Sequence, residues 1–226
     1  EKVLKAAFPV SVISSHATYE IAHGSIERPT HWNYSTDLVR FEVCGHKWAD
    51  LSEGDYGVSI INDCKYGYDI KDSLMRITLM RAPICPDPVG DKGVSTFVYR
   101  LYPHAGNWSQ ADTVKYAFEL NQPLKGYAAK AQSGSICAEK SFVEVSRRNI
   151  AIDAVKPAQD GNGLIIRMYE AGKSRGNVKV KLNFADVKKV VECNLMEVDE
   201  NELEFSNNEF SFEITPNQVR TFRVIV

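Results

Sequence analysis

No apolar run in this 226-residue chain approaches the 18 or so residues that a membrane-spanning helix needs. The opening Glu-Lys-Val-Leu-Lys lacks the charged, apolar and small-residue succession of a signal peptide. No CxxC pair or Cys/His cluster occurs. The five cysteines (Cys44, Cys64, Cys85, Cys137 and Cys193) are scattered and odd in number, which argues against a disulfide framework. Free thiols in a reducing compartment are the expectation, and with the missing signal they place the protein in the cytoplasm. His16, His23, His31, His46 and His104 form no HxH, HxD or HExxH pattern, so no cofactor and no metal site is expected in this chain. A GxSxG elbow is also lacking, which removes the commonest Ser/His/Asp layout. Charge of one sign is scarce in excess: the net charge of −2 gives nucleic acid and anionic membrane no field to follow, and neither is expected as a partner.

What is present is alternation. Met75, Ile77 and Leu79 share one face of a period-two segment, and Phe97, Tyr99 and Leu101 share another. Leu164, Ile166 and Met168 form a further set. So do Val178, Val180, Leu182 and Phe184 against Lys179 and Lys181, then Phe210, Phe212 and Ile214, and lastly Phe222, Val224 and Val226. The pattern predicts an all-β protein: a large antiparallel β-sandwich, then a smaller one, with one short helix. That helix is expected through Val114, Ala117, Phe118 and Leu120, capped by Ser109 or Asp112 and ended before Pro123. The unpatterned small and polar run from Gly126 to Ser135 reads as a connection, giving domains 1–130 and 131–226. Hairpin turns are expected at Asp160–Gly163 and Ser206–Asn208. The first strand, around Phe8–Ile13, has no upstream partner, which is the expectation for a chain cut from something longer.

Several segments resemble one family. Lys5–Val10, Ala17–Ile21, Ile26-Glu-Arg-Pro-Thr-His-Trp-Asn33, Phe41-Glu-Val-Cys-Gly-His-Lys-Trp-Ala-Asp-Leu51, Asn62-Asp-Cys-Lys-Tyr-Gly67 and Leu79–Pro83 are similar, in the same order, to the C-terminal region of family 38 α-mannosidases. The subgroup is the one with cytosolic, vacuolar and bacterial enzymes. The resemblance covers roughly residues 5–125; beyond it, Tyr169–Gly176 and Arg220–Val224 match more loosely. Tyr34–Asp37 replaces a segment that often carries a second tryptophan, and Ile84-Cys85 stands where a basic residue and alanine are common. The resemblance implies a retaining glycosidase that removes terminal α-D-mannosyl residues from oligosaccharides. It also implies that the attacking aspartate and a zinc ion belong to an N-terminal catalytic domain, a partner on the same polypeptide that this chain lacks. The chain alone is then expected to be inactive, a scaffold that partly lines the cleft for a mannose-containing oligosaccharide; a homo-oligomeric parent fits as well.

Nothing catalytic is complete in the residues themselves. Asp50 with Glu53, or Asp63 with Asp69, could form the carboxyl pair that glycoside hydrolysis needs, but they read more simply as turn and cap residues. The connection after Asn62 carries Lys65, Tyr66, Tyr68 and Asp69, types that hydrogen-bond sugar hydroxyls or stack on a pyranose. Arg81 continues the apolar register of Met75, Ile77 and Leu79, so its charge is expected to be paired, with Asp87 as partner, or to face a cleft. Arg28, His31 and Trp32 are candidates to face sugar or to seal an interdomain joint. Another class of reading is a free-standing carbohydrate-binding or structural β-sandwich module, whose aromatic platform would have to be Trp32, Tyr66 and Tyr68.

Overall fold

The computed structural model describes residues 2–226 except 132, 135, 136 and 185. The chain divides into two compact units, residues 1–124 and 125–226. In the first, strands run β1 (Lys2–Pro9), β2 (His16–Ile21), β3 (Gly24–Pro29), β4 (Val43–Cys44), β5 (Trp48–Ser52), β6 (Tyr56–Asn62), β7 (Gly67–Lys71), β8 (Leu74–Ala82) and β9 (Tyr99–Ala105). Helix α1 (Ser35–Val39) lies between β3 and β4, and α2 (Thr113–Asn121) follows β9.

These strands pair antiparallel into a four-stranded sheet, β1-β8-β7-β4, and a five-stranded sheet, β3-β2-β5-β6-β9. Alternation sends one face of each inward. Tyr68, Ile70, Met75, Ile77 and Leu79 from the first meet Ala17, Tyr19, Ala49, Leu51, Val58 and Ile60 from the second in one core. The outer face of the five-stranded sheet is also covered, because α2 lies on it. Trp48, Ile61, Trp108 and Ala117 form that second apolar layer, with the two indoles 4.9 Å apart. Strands β5 and β6 are therefore buried on both faces, which is why their sequences do not alternate in polarity.

Two expectations need correction here. Tyr99 and Leu101 do not repeat the buried pattern of β8; they are 38% and 43% exposed, while His104 is 7% exposed. Strand β9 is a sheet edge whose better-covered face is the one toward α2, so Tyr102 and His104 turn inward instead. A second helix, α1, joins the expected one. It is a single turn whose Asp37 accepts the N–H groups of Asn33 (2.8 Å) and Tyr34 (3.0 Å). Those bonds hold the Asp37 carboxyl below its ordinary range.

The second unit contains β10 (Val143–Val145), β11 (Ile150–Pro157), β12 (Leu164–Glu170), β13 (Gly176–Leu182), β14 (Lys189–Cys193), β15 (Asp199–Glu202), β16 (Glu209–Ile214) and β17 (Val219–Ile225). They form a three-stranded sheet, β10-β13-β16, and a five-stranded sheet, β11-β12-β17-β14-β15, again antiparallel. The sets predicted from alternation meet in its core: Ile166, Met168, Val178, Val180, Leu182, Phe210, Phe212, Ile214, Phe222 and Val224. Asn207 (φ 51°) and Asn208 (φ 61°) make the tight turn before β16, where asparagine tolerates the left-handed backbone. Gly163 ends the 158–163 turn at φ 87°; a Cβ there would lie 2.4 Å from the Val224 carbonyl oxygen, so no side chain fits.

Polar hubs tie the loops of this unit. The Glu170 carboxylate, fully buried, accepts from Asn149 (2.6 Å), Gly172 N–H (2.8 Å), Ser174 N–H (3.1 Å) and Asn217 N–H (3.1 Å). Arg223, 4% exposed, donates to Asp160 and Asp199 (both 2.8 Å) and to the carbonyls of Asn162 (2.8 Å) and Glu197 (2.7 Å). The five cysteines are free, four of them exposed and Cys193 buried. Among the described residues no helix is long and apolar enough to cross a membrane.

Candidate functional site

Strand β6 ends where the Asn62 side chain takes over from the sheet. Its Oδ1 accepts the N–H groups of Cys64 (3.0 Å) and Lys65 (2.5 Å), an Asx turn that reverses the chain within 63–66. Its Nδ2 donates to the His46 carbonyl (3.1 Å) and meets the Tyr68 hydroxyl, which itself donates to that carbonyl (3.0 Å). Asp63 secures the turn's flank, bonding the Val98 N–H at 3.2 Å and receiving the Cys64 thiol, a bond that lowers its own pKa and raises that of the thiol.

Tyr66 leaves this turn 57% exposed, and the Lys65 ammonium rests over the Phe97 ring, 5.1 Å from its centroid. Both line an open pocket of about 310 Å³ with Thr78, Arg81 and Asp91. Arg81 sits at the outer end of β8, exposed, opposite Val3 of β1. Three of the predicted cleft residues, Lys65, Tyr66 and Arg81, thus come together.

Three do not. Tyr68 and Asp69 belong to β7, not to the connection, and both are fully buried. The Tyr68 ring is part of the core, where burial pushes its phenol far up from the ordinary value. Asp69 is held by Lys5 of β1 (2.5 Å) and Arg76 of β8. Neither offers an atom to a ligand, because a charge carried into a sheet interior is stable only when such partners enclose it. Asp87 lies outside the pocket lining and forms no ion pair with Arg81 among the described residues; its carboxylate accepts the Val89 N–H at 2.9 Å.

Arg28, His31 and Trp32 line a separate cavity of about 570 Å³, with Tyr19, Val43 and Ile70 below them. The Arg28 guanidinium donates to the Cys44 carbonyl (2.7 Å) and lies 5.1 Å from the Tyr19 ring centroid. Trp32, 41% exposed, carries the Lys71 ammonium 3.9 Å from its ring centroid and the edge of Phe41 at 4.9 Å. Since this cavity and the Lys65 pocket share no residue and Tyr68 is interior, Trp32, Tyr66 and Tyr68 form no common aromatic platform.

Remaining acids also have local duties. Glu53 accepts the Ile13 N–H (2.8 Å). Asp50 lies in a buried network under α2, accepting from Ser59 (2.6 Å), Ser52 and His104 Nε2 (2.7 Å), while Ser59 meets Thr113 of α2 at 2.7 Å. Gly57 makes room for it: a Cβ there would lie 2.4 Å from the His104 ring. Burial disfavours the imidazolium, but the bond and charge of Asp50 outweigh it and raise the His104 pKa. This is a structural Ser–Asp–His cluster: the serine faces the carboxylate instead of the imidazole, so the nucleophile–base contact is missing. Among the described residues no group of three His, Cys, Asp or Glu side chains is placed to hold a metal ion.

Residues 1–89 match the model described as "Glycosyl hydrolases family 38 C-terminal domain", and residues 149–222 match "Glycosyl hydrolases family 38 C-terminal beta sandwich domain". The chain belongs to the C-terminal domains of glycosyl hydrolase family 38. It is 36% identical to "Alpha-mannosidase G" of Dictyostelium discoideum over 99% of its own length and 21% of that relative. With "Alpha-mannosidase 2C1" of Homo sapiens it shares 36% over its full length and 22% of the relative. With "Alpha-mannosidase" of Saccharomyces cerevisiae it shares 35%, over 99% and 22%. This family 38 chain therefore spans about a fifth of the length of the curated relatives it matches. The crystal structure of an alpha-mannosidase from Enterococcus faecalis V583 shares its fold, with a TM-score of 0.77 over 98% of this chain and 25% of that one, at 16% identity.

Proposed function

We propose that this chain works as the non-catalytic C-terminal β-region of an α-mannosidase that removes terminal α-D-mannosyl residues from oligosaccharides. The observation that carries the reading is its similarity, along its whole length, to about a fifth of proteins named as alpha-mannosidases, together with its match to the family's C-terminal domains. In the parent polypeptide the catalytic domain supplies the two carboxyl groups of a retaining double displacement. Zinc also belongs to that domain.

This region scaffolds that domain and lends the cleft the Lys65 ammonium, the exposed Tyr66 ring and the Arg81 guanidinium. The first and last donate to sugar hydroxyls, and the ring stacks on a pyranose face. Arg28, His31 and Trp32 act at the joint to the catalytic domain. The parent is cytoplasmic, in keeping with five free cysteines. The test compares the 226-residue chain with its longer parent polypeptide on an aryl α-mannoside. The parent is expected to turn over while the chain gives only the background rate; turnover by the chain alone would overturn the proposal.

A further inference from the structure

Resting on the reading of Lys65 and Tyr66 as cleft residues, we infer that Asn62 and Tyr68 are positioning residues for that reaction: a buried hydrogen-bonded pair that sets where the two exposed side chains stand. Asn62 is 1% exposed and Tyr68 is fully buried, so neither reaches a substrate. Yet the Asn62 side chain bonds the two middle residues of the turn, Cys64 and Lys65, through their N–H groups. The Tyr68 hydroxyl sits against Asn62 Nδ2 and on the His46 carbonyl, which fixes the amide in the orientation that leaves Oδ1 for the turn.

The pair is itself braced. The backbone N–H of Asn62 donates to the Lys47 carbonyl (2.9 Å), and its carbonyl accepts from Asn121 at the end of α2 (3.0 Å). On the other flank, the Tyr66 carbonyl accepts the Gly45 N–H at 3.0 Å. A turn of four residues held at both ends by buried donors and acceptors is pre-organised, so its lysine and tyrosine lose little freedom on meeting a ligand. The placement makes sense of a tyrosine hydroxyl in a strand that packs in the apolar core: phenylalanine would fill the same space, and only the hydroxyl reaches the asparagine.

The deciding variant is Tyr68→Phe, which keeps the ring and removes the hydroxyl; Asn62→Ala is the stronger form. In the 226-residue chain, amide hydrogen exchange at Cys64 and Lys65 is expected to quicken at least about tenfold in Tyr68→Phe, with the β6 amides of Val58 and Ile60 unchanged. In the parent, Tyr68→Phe is expected to raise KM for a mannose oligosaccharide several-fold with kcat within about twofold, as Lys65→Ala does. In a Lys65→Ala/Tyr66→Ala background the same Tyr68→Phe change is expected to add nothing, because the side chains it positions are gone. Unchanged exchange at Cys64 and Lys65 overturns the inference, and so does a KM effect that persists undiminished in the double-variant background. If Lys65→Ala itself leaves KM unaltered, the cleft reading fails, while the exchange result still decides whether the pair holds the turn.

Discussion

Replacing Asp69 by alanine separates a carboxylate that holds the first unit together from one that meets a ligand. Its side chain is fully buried and binds Lys5, 64 residues earlier in the chain, and Arg76 on the neighbouring strand. One residue thereby ties β1 and β8 to β7. For Lys5, burial acts against its charge, but the bonds to Asp69 and Glu42 more than compensate and raise its pKa. A hydrogen bond to a charged group contributes about 1.5–3 kcal/mol. Lys5 and Arg76 keep 21% and 29% exposure, so both can re-solvate once released. The loss therefore belongs at the lower end for two such bonds, about 3 kcal/mol. At a urea dependence of about 2 kcal/mol/M, that lowers the midpoint by about 1.5 M. The probe is built in, since Trp32, Trp48 and Trp108 all lie in the first unit, so indole emission follows that unit's unfolding. Asp87→Ala, at an exposed position, is the control and should stay within about 0.5 kcal/mol of wild type. A midpoint for Asp69→Ala indistinguishable from that control would refute the reasoning.

The raised His104 pKa carries a definite sign: a group that binds its proton more tightly when folded stabilises the fold below its unfolded pKa, near 6.5, and loses that contribution as pH rises through the folded value. Stability of the first unit, followed by indole emission, is thus expected to fall as pH climbs above about 6.5, and His104→Gln to flatten that slope; parallel slopes would contradict it. In the second unit, Arg223→Met removes the donors that clamp the turns at 160 and 197 against β17 and is expected to cost about 2–3 kcal/mol, read by calorimetry.

Alternation made most of the second unit legible, since Val178, Val180 and Leu182, or Phe210 and Phe212, obey a two-sheet core with one wet face. It failed where a third layer intervenes: α2 covers the second face of β5 and β6 and reverses the better-covered face of β9, a long-range effect that no local period encodes. Helix α1 is too short to show any period. At the candidate site, the turn residues Lys65 and Tyr66 were legible from polarity, whereas the fate of Asp69 depends on Lys5 arriving from β1. The role of Asn62 had a local signal, an Asx residue ending a strand, but its weight comes from the tyrosine, carbonyl and helix partners that only folding assembles.

The most direct trial of the account is the steady-state kinetics of the Lys65→Ala/Arg81→Ala variant of the parent polypeptide on a mannose oligosaccharide. Two side chains that hydrogen-bond substrate sugar predict a KM raised about tenfold or more, at unchanged thermal stability. A variant with wild-type kcat and KM would contradict the assignment of this pocket to the cleft.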